Sequence, residues 1–413
     1  MSTPTEPEAA AAADPYRLLE RDTIAEPYPV YARLRSEDPV HWSVPWSGWL
    51  LTRYDDVVAG FRDPRLSSER AQAKAQQIPS PVPEDVEPLL RNLASWVLYV
   101  DAPVHTRLRS LINKAFTPRL VEGLRPRIEA IVAELLDAAE ARGRIDIVRD
   151  LGGPLPVLVI GEMLGLPAED WQRLKGWSDT LASFLGAGRR TMEIARVAAE
   201  GVREMEDYLR AALAERRARP GHDLLSRLLA AEEEGAILGE QELLSTCCTV
   251  LFGGHETTTN LIGNAVLALL RSPAELDALR AGRAPIEGAV EELMRYDGPI
   301  QRMGRTARED MEIRGREIKK GDLVFLSLGS ANRDPAHFPD PDRLDLRRAD
   351  VRHLGFGMGA HYCIGAALGR LEAQISLEAF ARRFPRAELA PGPLSWLPTF
   401  SIRGLHALPV LLG

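Results

Sequence analysis

The sequence predicts a mainly α-helical fold with small β-sheets, an α+β protein in which helix dominates. The longest helical candidates span residues 118–231 and 239–270, where apolar residues recur at helical spacing. The extended candidates are shorter. Residues 39–53 carry tryptophans among glycine and proline, and residues 323–328 are an apolar run.

The composition is that of a globular protein with a large core. The chain has 413 residues, of which 45% are hydrophobic and 27% charged. A net charge of −8 argues against non-specific binding to nucleic acid. Three cysteines, two of them adjacent, do not form a disulfide framework, so we expect a reducing, cytoplasmic location. No apolar run of about twenty residues occurs, so we expect no membrane anchor.

The N-terminal residues 1–14 differ from the rest of the chain. They are rich in alanine, glutamate and proline, and they lack the basic start and apolar core of a secretory signal. We expect a disordered lead here. Residues 15–413 are expected to form a single domain, since large α-rich enzymes run to this length as one unit.

A glycine-rich loop at residues 356–365 carries the most specific motif. Its glycines allow the backbone to approach a flat ligand closely, and helix-forming residues follow at once. A thiolate at Cys363 would lie at a helix start, where free N–H groups favour negative charge. Cys363 is therefore a candidate iron ligand. The alternatives are a buried structural thiol and a zinc ligand, but zinc needs more Cys or His at short spacing.

This loop resembles the haem-thiolate signature of the cytochrome P450 family, whose fixed positions match Phe356, Gly357, Gly359, His361, Cys363 and Gly365. The resemblance implies the P450 fold, a triangular helical prism with haem b between a long distal helix and the helix after the cysteine loop. It implies that Cys363 is the axial iron ligand. It also implies that Phe356 and Gly365 contact the haem and that His361 contacts a haem propionate.

Two glycines interrupt the long helical candidate at residues 239–270. Each glycine inside a helix lowers helix stability by about 1 kcal/mol relative to alanine. Residues that oppose the local structure in this way often mark a functional site. A packed core helix with small residues is the alternative. The resemblance implies the oxygen-binding kink of the distal helix, where Gly254 makes room for a diatomic ligand and Glu256 and Thr257 handle protons.

Four further residues are candidates for the haem propionates. His105 and Arg109 fall at i and i+4 on one helix face; alone, such a pair would be solvated surface. The resemblance implies that both bind propionate, and arginine suits this role because its planar fork binds carboxylates. Arg305 matches the family's propionate-binding arginine, and Arg302 competes with it for this assignment.

A structural ion pair is expected at Glu292 and Arg295, which lie at i and i+3 on a helix. On its own the pair could be an ordinary surface contact. The resemblance implies that it is buried, that Arg343 is its third member, and that the group braces the cysteine loop.

The irregular stretch at residues 67–100 is either a surface loop or, as the resemblance implies, a cover over the substrate pocket. Apolar residues in this stretch and in others are candidates for the pocket wall: Trp96, Leu98, Phe184, Leu251, Ile300 and Ile402.

The resemblance implies a monomeric bacterial monooxygenase, of the kind found in secondary metabolism. It would insert one oxygen atom of O₂ into an apolar, medium-to-large organic molecule by hydroxylation or epoxidation. Electrons would come from a ferredoxin and its reductase. One alternative is a peroxygenase, isomerase or dehydratase without a redox partner, against which the Glu256–Thr257 pair counts. The other is a haem-based gas sensor or carrier.

Overall fold

The structure is a computed structural model that describes residues 14–69, 82–186, 191–233, 239–399 and 401–413. The expected lead at residues 1–14 lies outside the described residues, except for Asp14. Asp14 is buried, and its carboxylate accepts a hydrogen bond of 2.8 Å from the backbone N–H of Leu18. Asp14 therefore belongs to the folded part and not to the lead. The single domain over residues 15–413 stays a prediction.

Helices make up most of the described residues, as the sequence predicts. In chain order they are α1 (Arg21–Ala25), α2 (Tyr28–Glu37), α3 (Tyr54–Arg62), α4 (Glu87–Ala94), α5 (Val104–Ala115), α6 (Pro118–Gly123), α7 (Arg125–Glu140), α8 (Pro154–Met163), α9 (Trp171–Gly186), α10 (Met192–Ala218), α11 (Leu224–Glu233), α12 (Glu240–Leu270), α13 (Pro273–Arg280), α14 (Ile286–Asp297), α15 (Leu328–Ala331) and α16 (Ala366–Arg383). Short 3-10 turns (Val44–Trp46, Val97–Tyr99, Ala168–Asp170, Gly359–His361) and a π-helical turn (Ile147–Gly152) lie between them.

The strands form small sheets. They are β1 (Val40–Ser43), β2 (Gly48–Leu51), β3 (Leu66–Ser67), β4 (Arg144–Asp146), β5 (Arg302–Ala307), β6 (Met311–Ile313), β7 (Arg316–Ile318), β8 (Leu323–Ser327), β9 (Glu388–Leu389) and β10 (Pro409–Leu411). The largest sheet has the order β1-β2-β8-β5-β3, the second β4-β10-β9, and β6 pairs with β7. Only the β2–β8 pairing among these described strands is parallel. The expected α+β architecture is confirmed.

Helix α12 passes through the largest apolar core and packs against α8, α9, α14 and α16. It is 31 residues long and buries side chains on every face of its length. A helix that is apolar all round belongs in a protein interior. At its start, the Glu242 carboxylate accepts a hydrogen bond of 3.2 Å from the backbone N–H of Gly239. A smaller apolar core lies under the sheet around Val57, Leu326 and Phe338.

None of the helices in the described ranges has both the length and the apolar character needed to cross a membrane.

Candidate active site

A cavity of about 1170 Å³ lies between α12 and the cysteine loop. Its wall includes Cys363 and Phe356 from the loop, Thr257 from α12, and Arg109 from α5. Typical small-molecule pockets measure roughly 300–1,000 Å³. The cavity can therefore hold a flat macrocycle together with a second organic molecule.

Backbone geometry fixes the position of the cysteine thiol. Gly357 and Gly359 both have φ of 70°, a left-handed conformation that L side chains adopt only with strain. The backbone N–H of Cys363 donates a hydrogen bond of 2.9 Å to the carbonyl of Phe356 and closes the loop. Gly365 then begins α16 as its N-cap. The thiol consequently faces the cavity at the start of a helix, as the sequence predicts.

Burial raises the pKa of the Cys363 thiol. The backbone N–H of Gly365 and the guanidinium charges of Arg109 and Arg370 oppose this shift because they favour the thiolate. A metal ligand must be deprotonated, so these donors and charges act in the direction that iron ligation requires.

The expected propionate residues converge at one end of the cavity. The rings of His105 and His361 lie 4.1 Å apart between centroids. His105 is buried, and its Nε2 atom has no hydrogen-bond partner among the described residues. Burial and the nearby charge of Arg109 lower the pKa of His105. A neutral imidazole can still donate one hydrogen bond, so a carboxylate at this point would satisfy it, and the residues present fit the haem.

The two candidate arginines on β5 differ in their surroundings. Arg302 lies on the cavity wall, but its guanidinium stacks 3.7 Å from the Trp46 ring centroid, and its Nε donates to Ser401 at 3.2 Å. Arg305 is buried beside the ring of Phe61, which approaches the backbone of Gly357 in the cysteine loop. Arg302 borders the cavity, whereas Arg305 is not among the residues that line it, so both stay candidates for the propionate.

The expected distal residues lie on opposite sides of α12. Thr257 faces the cavity, and its hydroxyl donates to the carbonyl of Gly253 at 3.0 Å. Glu256 is turned away from the cavity, and its carboxylate accepts a hydrogen bond of 3.0 Å from the amide of Asn260. Burial raises the pKa of Glu256.

Gly254 of α12 lies on the wall, where a Cβ atom would come within 3.0 Å of Ile160. The helix is continuous through these residues, and the kink that the resemblance implies at the two glycines stays a prediction.

The expected ion pair is present, but its third member is wrong. Arg295 donates two hydrogen bonds to the Glu292 carboxylate, at 2.7 and 2.8 Å, and both side chains are fully buried. The third arginine is Arg348, whose Nε lies 3.1 Å from the same carboxylate. The Arg343 side chain is exposed, and only its backbone carbonyl takes part, accepting hydrogen bonds from Arg295 and Arg348. The chain turns at Asp340, where φ is 45°, and the inward-facing arginine comes five residues later than expected.

The pocket predictions divide evenly. Leu98, Ile300 and Ile402 line the cavity, and Ile300 and Ile402 form an isolated β-bridge. Three others are wrong, because they are buried in the surrounding core and not on the wall: Trp96, Phe184 and Leu251. Successive helical residues point about 100° apart. The neighbours Leu185 and Val250 accordingly face the cavity instead.

Glu372 on α16 was missed by sequence reasoning. It is 1% exposed, it borders the cavity, and burial raises its pKa to about 8. Thr258 of α12 lies beside it and favours its charged form. The sequence offers little signal for it, because Glu372 stands between Arg370 and Gln374 and resembles a surface residue there. A glutamate that the fold buries needs either a partner or a proton.

Comparisons with known proteins agree with this geometry. The cytochrome P450 family matches residues 168–282 and 286–392. The chain is 41% identical over 401 residues to the cytochrome P450 monooxygenase PikC of Streptomyces venezuelae, covering 95% of this chain and 92% of the relative. It is 39% identical over 398 residues to the polyketide biosynthesis cytochrome P450 PksS of Bacillus subtilis, covering 94% and 96%.

A solved structure of P450BioI in complex with an acyl carrier protein ligated to hexadec-9Z-enoic acid superposes with a TM-score of 0.87 at 35% identity, covering 95% of this chain and 99% of that one. The chain thus has relatives over almost its full length. The chain belongs to the cytochrome P450 family, and it is a haem b-binding monooxygenase of the group of bacterial biosynthetic enzymes.

Proposed function

We propose that the chain is a ferredoxin-dependent monooxygenase that hydroxylates or epoxidises an apolar organic molecule of medium to large size. The observation that carries the proposal is that the Cys363 thiol and the Thr257 hydroxyl border one cavity of about 1170 Å³ from two different helical elements. When bound there, haem supplies activation of O₂ and insertion of one oxygen atom into the substrate. The protein holds the reactants and supplies protons.

The residues around the thiol would hold the haem. Cys363 would bind the iron as thiolate, because the glycine-rich loop presents its sulfur to the cavity. His105, Arg109, His361 and Arg305 would bind the two propionates. Support comes from the unpartnered Nε2 atom of His105 and from Arg109 on the same wall. Phe356 and Gly365 would pack against the ring, since both lie on the wall beside the thiol.

Thr257 and Glu256 would handle protons on the other side. The Thr257 hydroxyl donates its one hydrogen to the Gly253 carbonyl, so its oxygen can accept a hydrogen bond from a molecule in the cavity. Glu256 lies next in sequence but faces away from the cavity, and burial raises its pKa, so it can take up and release a proton nearer neutrality. Gly254 would leave room for a diatomic ligand next to them.

The electron donor would dock at the cysteine loop. Tyr362 is 38% exposed, whereas Cys363 beside it borders the cavity. A donor at this surface would lie one residue from the iron ligand. An acidic ferredoxin would meet arginines near the loop. Arg347 and Arg352 are exposed but paired with Glu275 and Asp350, so the donor would compete with these weak surface pairs.

The substrate would lie against Leu98, Ile300 and Ile402, which are apolar and border the cavity. Support for a large substrate comes from the relative in polyketide biosynthesis and from the one solved with a fatty acyl carrier protein. A screen of macrocyclic lactones, free fatty acids and an acyl carrier protein loaded with hexadecenoic acid, read by the haem spin-state shift, identifies the class. Failure of every apolar compound to shift the spectrum while polar compounds do so would overturn the apolar assignment.

Turnover separates the proposal from its alternatives. We expect product with NADPH, ferredoxin reductase and ferredoxin, and little product with hydrogen peroxide alone. Equal turnover with peroxide would show a peroxygenase, and turnover with neither would favour an isomerase, a dehydratase or a gas-binding protein. We also propose that the protein works as a cytoplasmic monomer, and sedimentation of the purified chain checks the monomer.

A further inference from the structure

A buried polar network joins α4, α10 and α12 beside the cavity. The Asn92 amide nitrogen donates to the Glu206 carboxylate at 2.6 Å and lies 3.6 Å from the Cys248 sulfur. The Gln241 amide donates to the same Glu206 oxygen at 2.7 Å. On its other side, the Asn92 carbonyl oxygen accepts a hydrogen bond of 2.7 Å from the indole N–H of Trp96. Asn92 and Trp96 are completely buried, and Glu206 is nearly so.

The chemistry of this network requires an amide at its centre. The Trp96 indole is a donor only, and the Glu206 carboxylate acts as an acceptor in this network. An amide offers both an acceptor and donors in one rigid group. An aliphatic side chain at position 92 would leave the Trp96 indole N–H without its acceptor and Glu206 with the Gln241 amide as its remaining donor in this network. A carboxylate there would face another carboxylate. Apolar packing alone lets elements slide, whereas a buried and satisfied polar network favours one register.

Trp96 transmits this register to the cavity. Its ring stacks on Tyr99 at 5.8 Å with an interplanar angle of 2°, and it lies 5.3 Å from the ring of Phe252. Tyr99 and Phe252 both border the cavity, as does Leu98. Trp96 itself stands behind this wall. The position of the aromatic wall therefore depends on where the Trp96 ring is held.

We propose that Asn92 is a positioning residue for substrate selection: by joining Trp96 to Glu206, it fixes the cavity wall formed by residues 97–99 and Phe252. Its contribution falls on the fit of bulky ligands and not on the chemistry at the haem. The inference rests on the proposed function only in taking this cavity as the substrate site.

The first experiment compares a large and a small ligand in the Asn92→Leu variant of the haem-loaded protein. The affinity for 4-phenylimidazole depends on the position of the aromatic wall, because the phenyl group must fit beside it. The affinity for imidazole depends only on access to the iron. We expect the dissociation constant of 4-phenylimidazole to rise about tenfold, with that of imidazole changed by less than about twofold. Equal changes for both ligands, or none, would overturn the positioning role.

A second readout needs no ligand at all. Hydrogen–deuterium exchange of backbone amides in residues 93–100 should accelerate about tenfold in Asn92→Leu, because local opening becomes easier. Amides of α16, next to the cysteine loop, should keep their rates. Unchanged exchange at residues 93–100 would contradict the inference even if haem binding and turnover were intact.

A charge-preserving exchange tests the hydrogen-bond logic. Asn92→Asp alone places two carboxylates together and should weaken 4-phenylimidazole binding as Asn92→Leu does. The double variant Asn92→Asp/Glu206→Gln restores one carboxylate and one amide with their positions exchanged. It should return 4-phenylimidazole binding to within about threefold of the natural protein. A double variant no better than Asn92→Asp alone would show that the network does not act through this pairing.

Matched tryptophan variants keep the test available should the Asn92 variants fold poorly. Trp96→Phe removes the N–H that reaches Asn92 but keeps an aromatic ring behind the wall. Trp177→Phe removes a comparable bond, in which the indole donates to Glu204 at 2.8 Å outside the cavity wall. Only Trp96→Phe should weaken 4-phenylimidazole binding. The reduced CO spectrum should be natural in both, so a failure of haem ligation, and hence of the proposed function, is distinguishable from a failure of this inference.

Discussion

The two sides of the cavity are held by different physical means. The cysteine loop turns at two glycines with φ of 70°. The segment before it is tied to α14 by the fully buried Glu292–Arg295 pair, which bonds to the backbone of residues 332, 341 and 343. The opposite wall at residues 97–99 is held by stacked aromatic rings and by the Asn92 amide. Strained backbone and buried charge tolerate almost no change. Stacked rings can be exchanged for others. Substitutions are therefore expected to be poorly tolerated on the cysteine side of the cavity and better tolerated on the substrate side.

The largest effect is expected at the thiol. Cys363→His should abolish the long-wavelength Soret band of the reduced CO complex, because that band reports thiolate ligation. The measurement is an absorption difference spectrum of reduced protein with and without CO. An unchanged Soret band in the variant would show that another residue ligates the iron. The cysteine loop would then not be the ligand side of the cavity.

The next effect tests the corrected third member of the ion pair. Arg348→Ala should lower the free energy of unfolding by about 2–4 kcal/mol, because it removes a cation from the completely buried Glu292 carboxylate. Arg343→Ala should change it by less than about 0.5 kcal/mol, because that side chain is exposed. Urea unfolding of both haem-loaded variants gives the comparison. Similar losses in both, or a larger loss in Arg343→Ala, would contradict the assignment of Arg348.

A pH effect of similar size is expected at Glu372. Burial raises its pKa from the ordinary 4.5 to about 8, so the folded protein keeps a proton that the unfolded chain releases. The stability that this group contributes is complete below pH 4.5 and is lost as the pH rises to about 8, a change of about 5 kcal/mol.

Glu372→Gln removes this proton and should flatten that part of the stability–pH curve. Urea midpoints at pH 5, 6.5 and 8, roughly spanning the two pKa values, give the slopes. Equal slopes in the natural protein and the variant would show that Glu372 is ionised in the folded state, with a partner for its charge.

The smallest of these effects concerns Thr257. Thr257→Ala should leave the CO spectrum and the stability nearly unchanged, since the hydroxyl contacts only the Gly253 carbonyl of its own helix. Product formed per NADPH consumed should fall several-fold, with hydrogen peroxide released instead, because proton delivery is lost. Thr257→Ser is the matched control, and it should retain coupling. Natural coupling in the alanine variant would remove Thr257 from proton handling.

Sequence reasoning succeeded where the chemistry demands a special residue. Three features could be recognised from the sequence alone because their residue types or spacing are unusual. They are the glycines around Cys363, the adjacent glycines of α12 and the Glu292–Arg295 spacing. The assignment of Arg343 as the third arginine was wrong. After the left-handed turn at Asp340, the arginine whose side chain faces inward is Arg348. No spacing rule reveals where such a turn leads.

The pocket was harder, because core and cavity wall have the same composition. Leu251 and Val250 are neighbours of equal hydrophobicity, and a turn of about 100° decides that Val250 reaches the cavity. Trp96 was expected on the wall for its size, yet its size serves as a support behind the wall. Whether an apolar residue lies on the cavity wall or in the core depends on the rotation of its helix and on tertiary packing. Neither can be inferred from the sequence.

The pairing of distant strands has a consequence for how the site comes into being. β2, near residue 50, pairs in parallel with β8, near residue 325, and β4 pairs with β10 at residues 409–411. Synthesis releases the wall at residues 97–99 long before the thiol at residue 363, and long-range pairings of this kind form slowly. A complete haem pocket is therefore a late product of folding. A ligand that binds the finished pocket and not the unfinished chain stabilises the native state by mass action, so we expect added haem during expression to raise the yield of folded protein.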